Sequence, residues 1–294
     1  MIDNTTKNYM VSVGIMDNIN GYSTHRKITP DSDGFYEVVV GCINMPTRAN
    51  VIYEPQSVLA CLTDPDSKFQ VMLRSGGLTG TYFHPDILGQ DDMWKLFKIN
   101  EKYVSHYFKR IWTSDTVTID GFECIPIRAL VHPTGPYGEH LEKEFKDTAN
   151  KPVHFSVRSL CSPLDRTDDP RFTDRKYSFR KMEMLITFDH VFCPGFTVAS
   201  TMYNTGGSSG TESYEYPVTR RILEDAYKYG NVAGMESTTT MITDRDIAKL
   251  YNDRELSIGG EHVGSNISGT SSLLGSDGHY RSASSLVYNY RSKV

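Results

Sequence analysis

The stretch DTVTIDGFECIPIRALVH, residues 115–132, constrains the fold more than any other part of the chain. Two runs rich in β-branched and aromatic residues flank the pair Asp120 and Gly121. An Asp-Gly connection accepts positive φ, and its twist matches that of two antiparallel strands, so the stretch reads as a hairpin. A hairpin commits the chain to an antiparallel sheet, and other runs supply further strands. These are GFYEVVVGCINM (34–45), bounded by Gly and Pro, the second half of NEKYVSHYFKRIW (100–112), NKPVHFSVRSL (150–160) and RKYSFRKMEMLITFDHVFCPGF (175–196). QVMLRSGGLTGTYFHPD (70–86) reads as a strand, a glycine hinge and a second extended piece. Helices are few. EPQSVLACLTD (54–64) carries Val58, Leu59 and Leu62 at helical spacing with Pro55 in the first turn, and GPYGEHLEKEFKDTAN (135–150) pairs Leu141 with Phe145.

Near residue 200 the composition changes. YNTGGSSGTESYEYP (203–217) reads as a Gly/Ser linker, followed by two short helices, VTRRILEDAYKYG and DRDIAKLYNDREL, and a flexible Gly/Ser-rich tail. Residues 1–35 are polar and turn-rich and are expected to add little core. The 294 residues thus divide into a strand-rich mixed domain over 1–200 and an extension over 201–294.

Several function classes fall away. A formal net charge of -5 gives no electropositive footprint for general nucleic-acid binding. Five scattered cysteines without a CxxC pair suit neither a zinc knuckle nor a disulfide framework. No HxxxH or HxH spacing suggests a metal-dependent hydrolase, and no cofactor is expected. The N-terminus lacks the basic-then-apolar order of a leader, and no run approaches the ~20 apolar residues of a membrane span. The expectation is a soluble intracellular chain without membrane or nucleic-acid partners.

Candidate chemistry starts in NKPVHFSVRSL. Strand alternation puts His154, Ser156 and Arg158 on one face and Phe155, Val157 and Ser159 on the other. Such a polar face is either a solvated sheet surface or a place for a nucleophile. A serine hydroxyl needs a base within hydrogen-bond reach, usually histidine. Of nine histidines, His25, His262 and His279 lie in polar, loop-like sequence and His140 on a charged helix. His154 is roughly 6–7 Å from Ser156 along the strand. His84, in GTYFHPDIL, is held extended by the following proline, beside a glycine-rich hinge. It serves either as a base or as a packing residue.

Four segments, taken in order, resemble the prohead (procapsid maturation) proteases of T-even-type myoviruses. They are TYFHPD, INEKYVSHYFKRIW, the long VHPTGPYGEHLEKEFKDTANKPVHFSVRSL, and ITFDHVFCPGF. The chain departs from the family at Phe155, Val157 and Ser159, where the family carries glycine, serine and glycine, and it lacks the acidic residue before the base motif. The resemblance covers roughly residues 35–200 and implies an α+β fold, an assemblin-like small β-barrel with helices packed outside. It also implies Ser156 as nucleophile, with Ser159 as runner-up, and His84 as base. The oxyanion donors then come from Val157 and Arg158. For the carboxylate or imidazole that orients the base, Asp64 is favoured over Asp66 and His106. Further implications are cleavage after glutamate, with self-cleavage candidates at Glu212 and Glu236, and phage scaffold or core proteins and the major capsid protein as substrates. The setting would be the assembling prohead in the host cytoplasm, with a homo-oligomer as one possible state. The competing class is a non-catalytic capsid, scaffold or tail component that shares the barrel.

Overall fold

A computed structural model of the chain describes residues 9–13, 28–47, 50–87, 90–119, 121–148, 153–166, 177–191, 214–230, 238–243, 245–250, 272–274 and 280–282. Two sheets, antiparallel apart from one parallel pair, carry the fold. One contains β2 (Tyr36–Ile43), β8 (Phe122–Pro133), β6 (Val104–Thr113) and β4 (Thr79–Thr81), in that order, with β7 (Val117–Ile119) hairpinned onto β8. The other runs β11 (Tyr214–Val218), β1 (Tyr9–Val13), β9 (His154–Leu164), β10 (Ser178–Val191) and β3 (Val51–Tyr53). β10 is long enough to serve both sheets. Its first residues pair with β3, in parallel, and its last reach β4. There the Phe83 N–H donates to the His190 carbonyl at 2.8 Å and the Thr187 hydroxyl donates to the Thr79 carbonyl at 2.8 Å. The sheet thereby curls into a half-barrel within a mixed α/β fold with few helices.

The hairpin forms as its residues require, with Val117 opposite Cys124, Ile119 opposite Phe122, and Gly121 at φ +80°. The helix α1 (Pro55–Thr63) buries Val58 and Leu62. The helix α3 (Gly138–Lys146) buries Leu141 and Phe145 against the sheet, and the Phe145 ring stacks on Tyr36 at 4.3 Å. Each such side chain contributes about 1.5–3 kcal/mol of hydrophobic burial.

Three stretches differ from the sequence-based expectation. Residues 68–74 form a helix, α2 (Lys68–Arg74), where a strand is expected. The Ser67 hydroxyl caps it by accepting from the Gln70 N–H, and it ends at Gly76, φ +72°, and Gly77, whose N–H returns to the Met72 carbonyl. A serine cap and a glycine stop outweigh the short alternation of this stretch. Secondly, residues 9–13 are not peripheral. They form β1, which sits between β11 and β9 inside the second sheet.

The third difference concerns the chain beyond residue 200. The strand β11 lies in the sheet beside β1, and α4 (Arg220–Gly230) packs on the 3-10 turn over Gln90–Phe97. β12 (Thr238–Thr240) pairs with β5 (Lys98–Asn100), and residues 245–250 are helical. Val218, Ile222, Leu223, Ala226, Met241 and Leu250 belong to the same hydrophobic cluster as the core of residues 36–191. Residues 214–230, 238–243 and 245–250 are thus built into the domain, and residues 203–213 of the expected linker lie outside the described residues. A separate two-stranded pair, β13 (Ser272–Leu274) with β14 (Tyr280–Ser282), follows. Among the described residues no helix is long and apolar enough to cross a membrane.

Candidate active site

β9 is the central strand of its sheet, and residues 155–162 are buried throughout. Its partner β10 runs antiparallel, with Ser156 opposite Asp189, Arg158 opposite Thr187, and Val157 opposite Phe188. Directly opposed residues of an antiparallel pair share a face, their Cα atoms about 4.5–5.5 Å apart. Ser156, Arg158, Thr187 and Asp189 therefore stand together. Phe155, Val157 and Phe188 point into the hydrophobic core on the reverse side. A register shift between Leu185 and Thr187 resets the parity of β10 and brings Asp189 onto the face of Ser156.

This polar face is not solvated. Residues 90–100 lie over it, and the Arg158 Nη1 donates to the carbonyls of Leu96 (3.2 Å) and Lys98 (2.9 Å). The Arg158 Nη2 donates to Asp189 Oδ1 at 3.0 Å, while Nε lies 2.9 Å from Oδ2 without the alignment of a hydrogen bond. Both side chains are fully buried.

His84 completes the group. β4 passes beneath it so closely that a Cβ at Gly80 would stand 2.2 Å from the Phe188 carbonyl and 2.4 Å from the His106 ring, so only glycine fits. After Thr81 and Tyr82 the chain turns at Phe83, whose φ of +65° is unusual for a non-glycine residue. The turn returns the His84 imidazole onto β10, where Nδ1 lies 2.8 Å from Asp189 Oδ2. The other carboxylate oxygen, Oδ1, accepts from the Thr81 N–H at 3.0 Å. The Thr81 hydroxyl lies 2.9 Å from Oδ1 and 2.7 Å from the Phe83 carbonyl, and its one proton serves one of them at a time. Burial pushes the Asp189 carboxyl upward. The Arg158 guanidinium, then His84 and the Thr81 N–H, more than reverse this and hold it well below the usual carboxylate range. Asp189 is thus a fixed anion, and an anion at Nδ1 keeps the imidazole proton on that nitrogen and leaves Nε2 as a base.

The His84 Nε2 is buried and has no hydrogen-bond partner. The Ser156 hydroxyl is near the pair by register and makes no bond to His84 Nε2, and Ser156 has no exposed surface. Nucleophile–base bonds are often long or misaligned in unbound enzymes and tighten with substrate.

The remaining expected residues are placed as follows. Asp64 ends α1 on the surface, where its carboxylate accepts from the Asp66 N–H and lies 3.6 Å from Arg245. Asp66 is 3.2 Å from the same arginine. Neither is paired with His84, whose carboxylate is Asp189. His106 is buried behind β4, between the Ser105 hydroxyl (2.8 Å) and the Phe188 carbonyl (3.2 Å). Burial, then nearby His190, pushes its imidazole down to about 3, so it is neutral. Its second nitrogen meets a carbonyl rather than a carboxylate. Ser159 faces the other way, its hydroxyl 3.3 Å from the Cys161 sulfur. Val157 and Arg158 lie in mid-strand, Arg158 paired with both Thr187 and Val13. Glu212 and Glu236 lie outside the described residues. Among the described residues no cluster of three or more His, Cys, Asp or Glu side chains could hold a metal ion.

The family model of the Peptidase S80 family matches residues 16–247. No curated protein and no solved structure matches the chain.

Proposed function

The chain belongs to the peptidase S80 family, the serine proteases of phage prohead and capsid maturation, and from that premise we propose that it is an endopeptidase using Ser156, His84 and Asp189. The observation that carries the assignment is the His84–Asp189 pair at 2.8 Å, with Ser156 directly opposite Asp189 on the neighbouring strand. In the reaction, His84 Nε2 takes the Ser156 hydroxyl proton as the oxygen attacks the scissile carbonyl. Asp189 accepts the Nδ1–H and stabilises the imidazolium. The imidazolium then protonates the leaving amine, and water admitted to the acyl-enzyme reverses the sequence.

The substrates on this reading are phage scaffold or core proteins and the major capsid protein, cut after glutamate inside the assembling prohead in the host cytoplasm. The chain's own Glu212 and Glu236 are further targets. Full burial of Ser156 has a consequence for access: residues covering β9 and β10 must shift before a peptide bond reaches it. The same burial favours a second reading, a non-cleaving structural component of the phage.

A fluorophosphonate probe separates the two. Expected is one covalent adduct on the peptide carrying Ser156, lost in His84→Ala, together with loss of peptide cleavage in a folded Ser156→Ala chain. Cleavage by that variant would remove the assignment, and an adduct on Ser159 would move the nucleophile. A folded chain that neither cleaves nor labels supports the structural reading.

A further inference from the structure

The guanidinium of Arg158 is the largest charged group buried in the core, and its contacts define what it does. One nitrogen spans two backbone carbonyls, Leu96 and Lys98, and the other two face the two oxygens of Asp189. This leaves no paired N–H edge turned toward an oxyanion beside Ser156. The carbonyl end is itself held in place. β12 pairs with β5 over Lys98–Asn100, the Met241 N–H donates to the Phe97 carbonyl at 2.8 Å, and α4 packs on the turn that precedes them. From the other end, Asp189 grips His84 Nδ1.

We propose that Arg158 is a positioning residue, which fixes the Asp189 carboxylate, and through it His84, to the carbonyls of residues 96 and 98. This deepens the reading of Ser156, His84 and Asp189 as the reacting group and rests on it. Arg158 keeps Asp189 ionised and aimed, and it makes the geometry of the pair depend on the seating of α4, β12 and Met241 over residues 90–100. A lysine cannot replace it, because one ammonium cannot span a carboxylate and two carbonyls at once.

Other ionisable groups surround the pair. His106 lies behind it on β6, Lys98 on β5, His154 at the start of β9, and His190 with Glu144 of α3 on the reverse face of β10 (2.7 Å apart). None of them holds Asp189, so removing the Arg158 charge acts on the His84–Asp189 pair first.

The test is a pH titration of the pair by imidazole NMR in the full-length chain carrying Ser156→Ala, with Arg158→Gln and Arg158→Lys added in turn. This readout needs no turnover. In active chains the acid limb of kcat/KM gives the same midpoint. Loss of a neighbouring cation lets the pair retain its proton to higher pH, so Arg158→Gln should move the midpoint up by about one to three pH units. Arg158→Lys keeps the charge and should leave the midpoint in place while kcat falls at least about tenfold at unchanged KM. An unmoved midpoint in folded Arg158→Gln overturns the proposal, and with a fall in kcat it assigns Arg158 to the oxyanion instead. Should Arg158→Gln not melt cooperatively, Arg158→Lys decides alone: a wild-type kcat overturns the proposal. A wild-type chain without peptidase activity sinks the reaction assignment, and the NMR midpoint still judges Arg158.

Discussion

Replacing Asp189 by asparagine tests the site at its narrowest point. The amide must present its NH2 either to His84 Nδ1 or to Arg158, both of which already carry protons there. If it faces His84, the imidazole proton moves to Nε2, the nitrogen that has to accept from Ser156. Loss of the correct tautomer costs a serine peptidase about 10⁴ in kcat. At 1.36 kcal/mol per factor of ten this is about 5.4 kcal/mol of transition-state stabilisation. The same change strips the counter-charge from Arg158, which is fully buried, and an uncompensated buried charge costs about 3–5 kcal/mol of stability. A domain in the upper part of the usual range of about 5–15 kcal/mol remains folded at that cost, and one near 5 kcal/mol is partly unfolded by it. The assay is kcat on a glutamate-containing fluorogenic peptide, corrected by the folded fraction from a urea melt. The control is Asp64→Asn. Asp64 sits on the surface, 3.6 Å from an exposed arginine, so its removal should change stability by less than about 1 kcal/mol and leave the rate alone. A folded Asp189→Asn chain with the wild-type rate, or an equal loss in Asp64→Asn, would refute the assignment of the orienting carboxylate.

Further outcomes follow from other contacts. His106 is held at about 3 against an ordinary value of 6.5, so its contribution to stability is complete above pH 6.5 and is lost as pH falls toward 3. The unfolding free energy from urea melts should fall by up to about 1.4 kcal/mol per pH unit lost in that window, and His106→Gln should flatten this pH dependence. Gly80→Ala drives a methyl group into the Phe188 carbonyl and the His106 ring and should cost about 3 kcal/mol, read as a fall in the urea midpoint; an unchanged midpoint would show that β4 can retreat. Mass spectrometry of active chain should show breaks after Glu212 or Glu236 that are absent from the Ser156→Ala chain. The nicked pieces should co-elute under native conditions, because residues 218–250 share the core of residues 36–191.

The strands and helices whose side chains repeat at a single period were readable from sequence: the Asp120-Gly121 hairpin, α1 by Val58 and Leu62, and α3 by Leu141 and Phe145. Ser156, His84 and Arg158 stood out by alternation, by the proline after His84 and by the resemblance. The contact between His84 and Asp189 did not. It depends on the register of β10 against β9, and a shift between Leu185 and Thr187 sets which side chains of β10 face Ser156. Asp189 was nevertheless visible, inside ITFDHV, and asking which carboxylate could stand opposite Ser156 on a paired strand would have raised it. Asp64 drew attention through its place before the base segment, but α2 intervenes and leaves it on the surface. The polar face of β9 looked like either solvent or catalysis. Its cover comes from residues 90–100 and from beyond residue 214, separations at which local pattern carries no information.

The placement of β1 also bears on timing. The strand that carries Ser156 is flanked by β1, which precedes it in the chain, and β1 is flanked in turn by β11, which follows it. A chain emerging at about 5–20 residues per second makes β9 and β10 well before residues 214–250, a gap of about 3–12 s for the 59 residues between 191 and 250. Through that interval the sheet has an open edge and residues 90–100 lack the layer that seats them. Synthesis itself thus provides a latency: a nascent chain that already carries His84, Ser156 and Asp189 still waits for β11, α4 and β12 before the layer over Leu96 and Lys98 is complete.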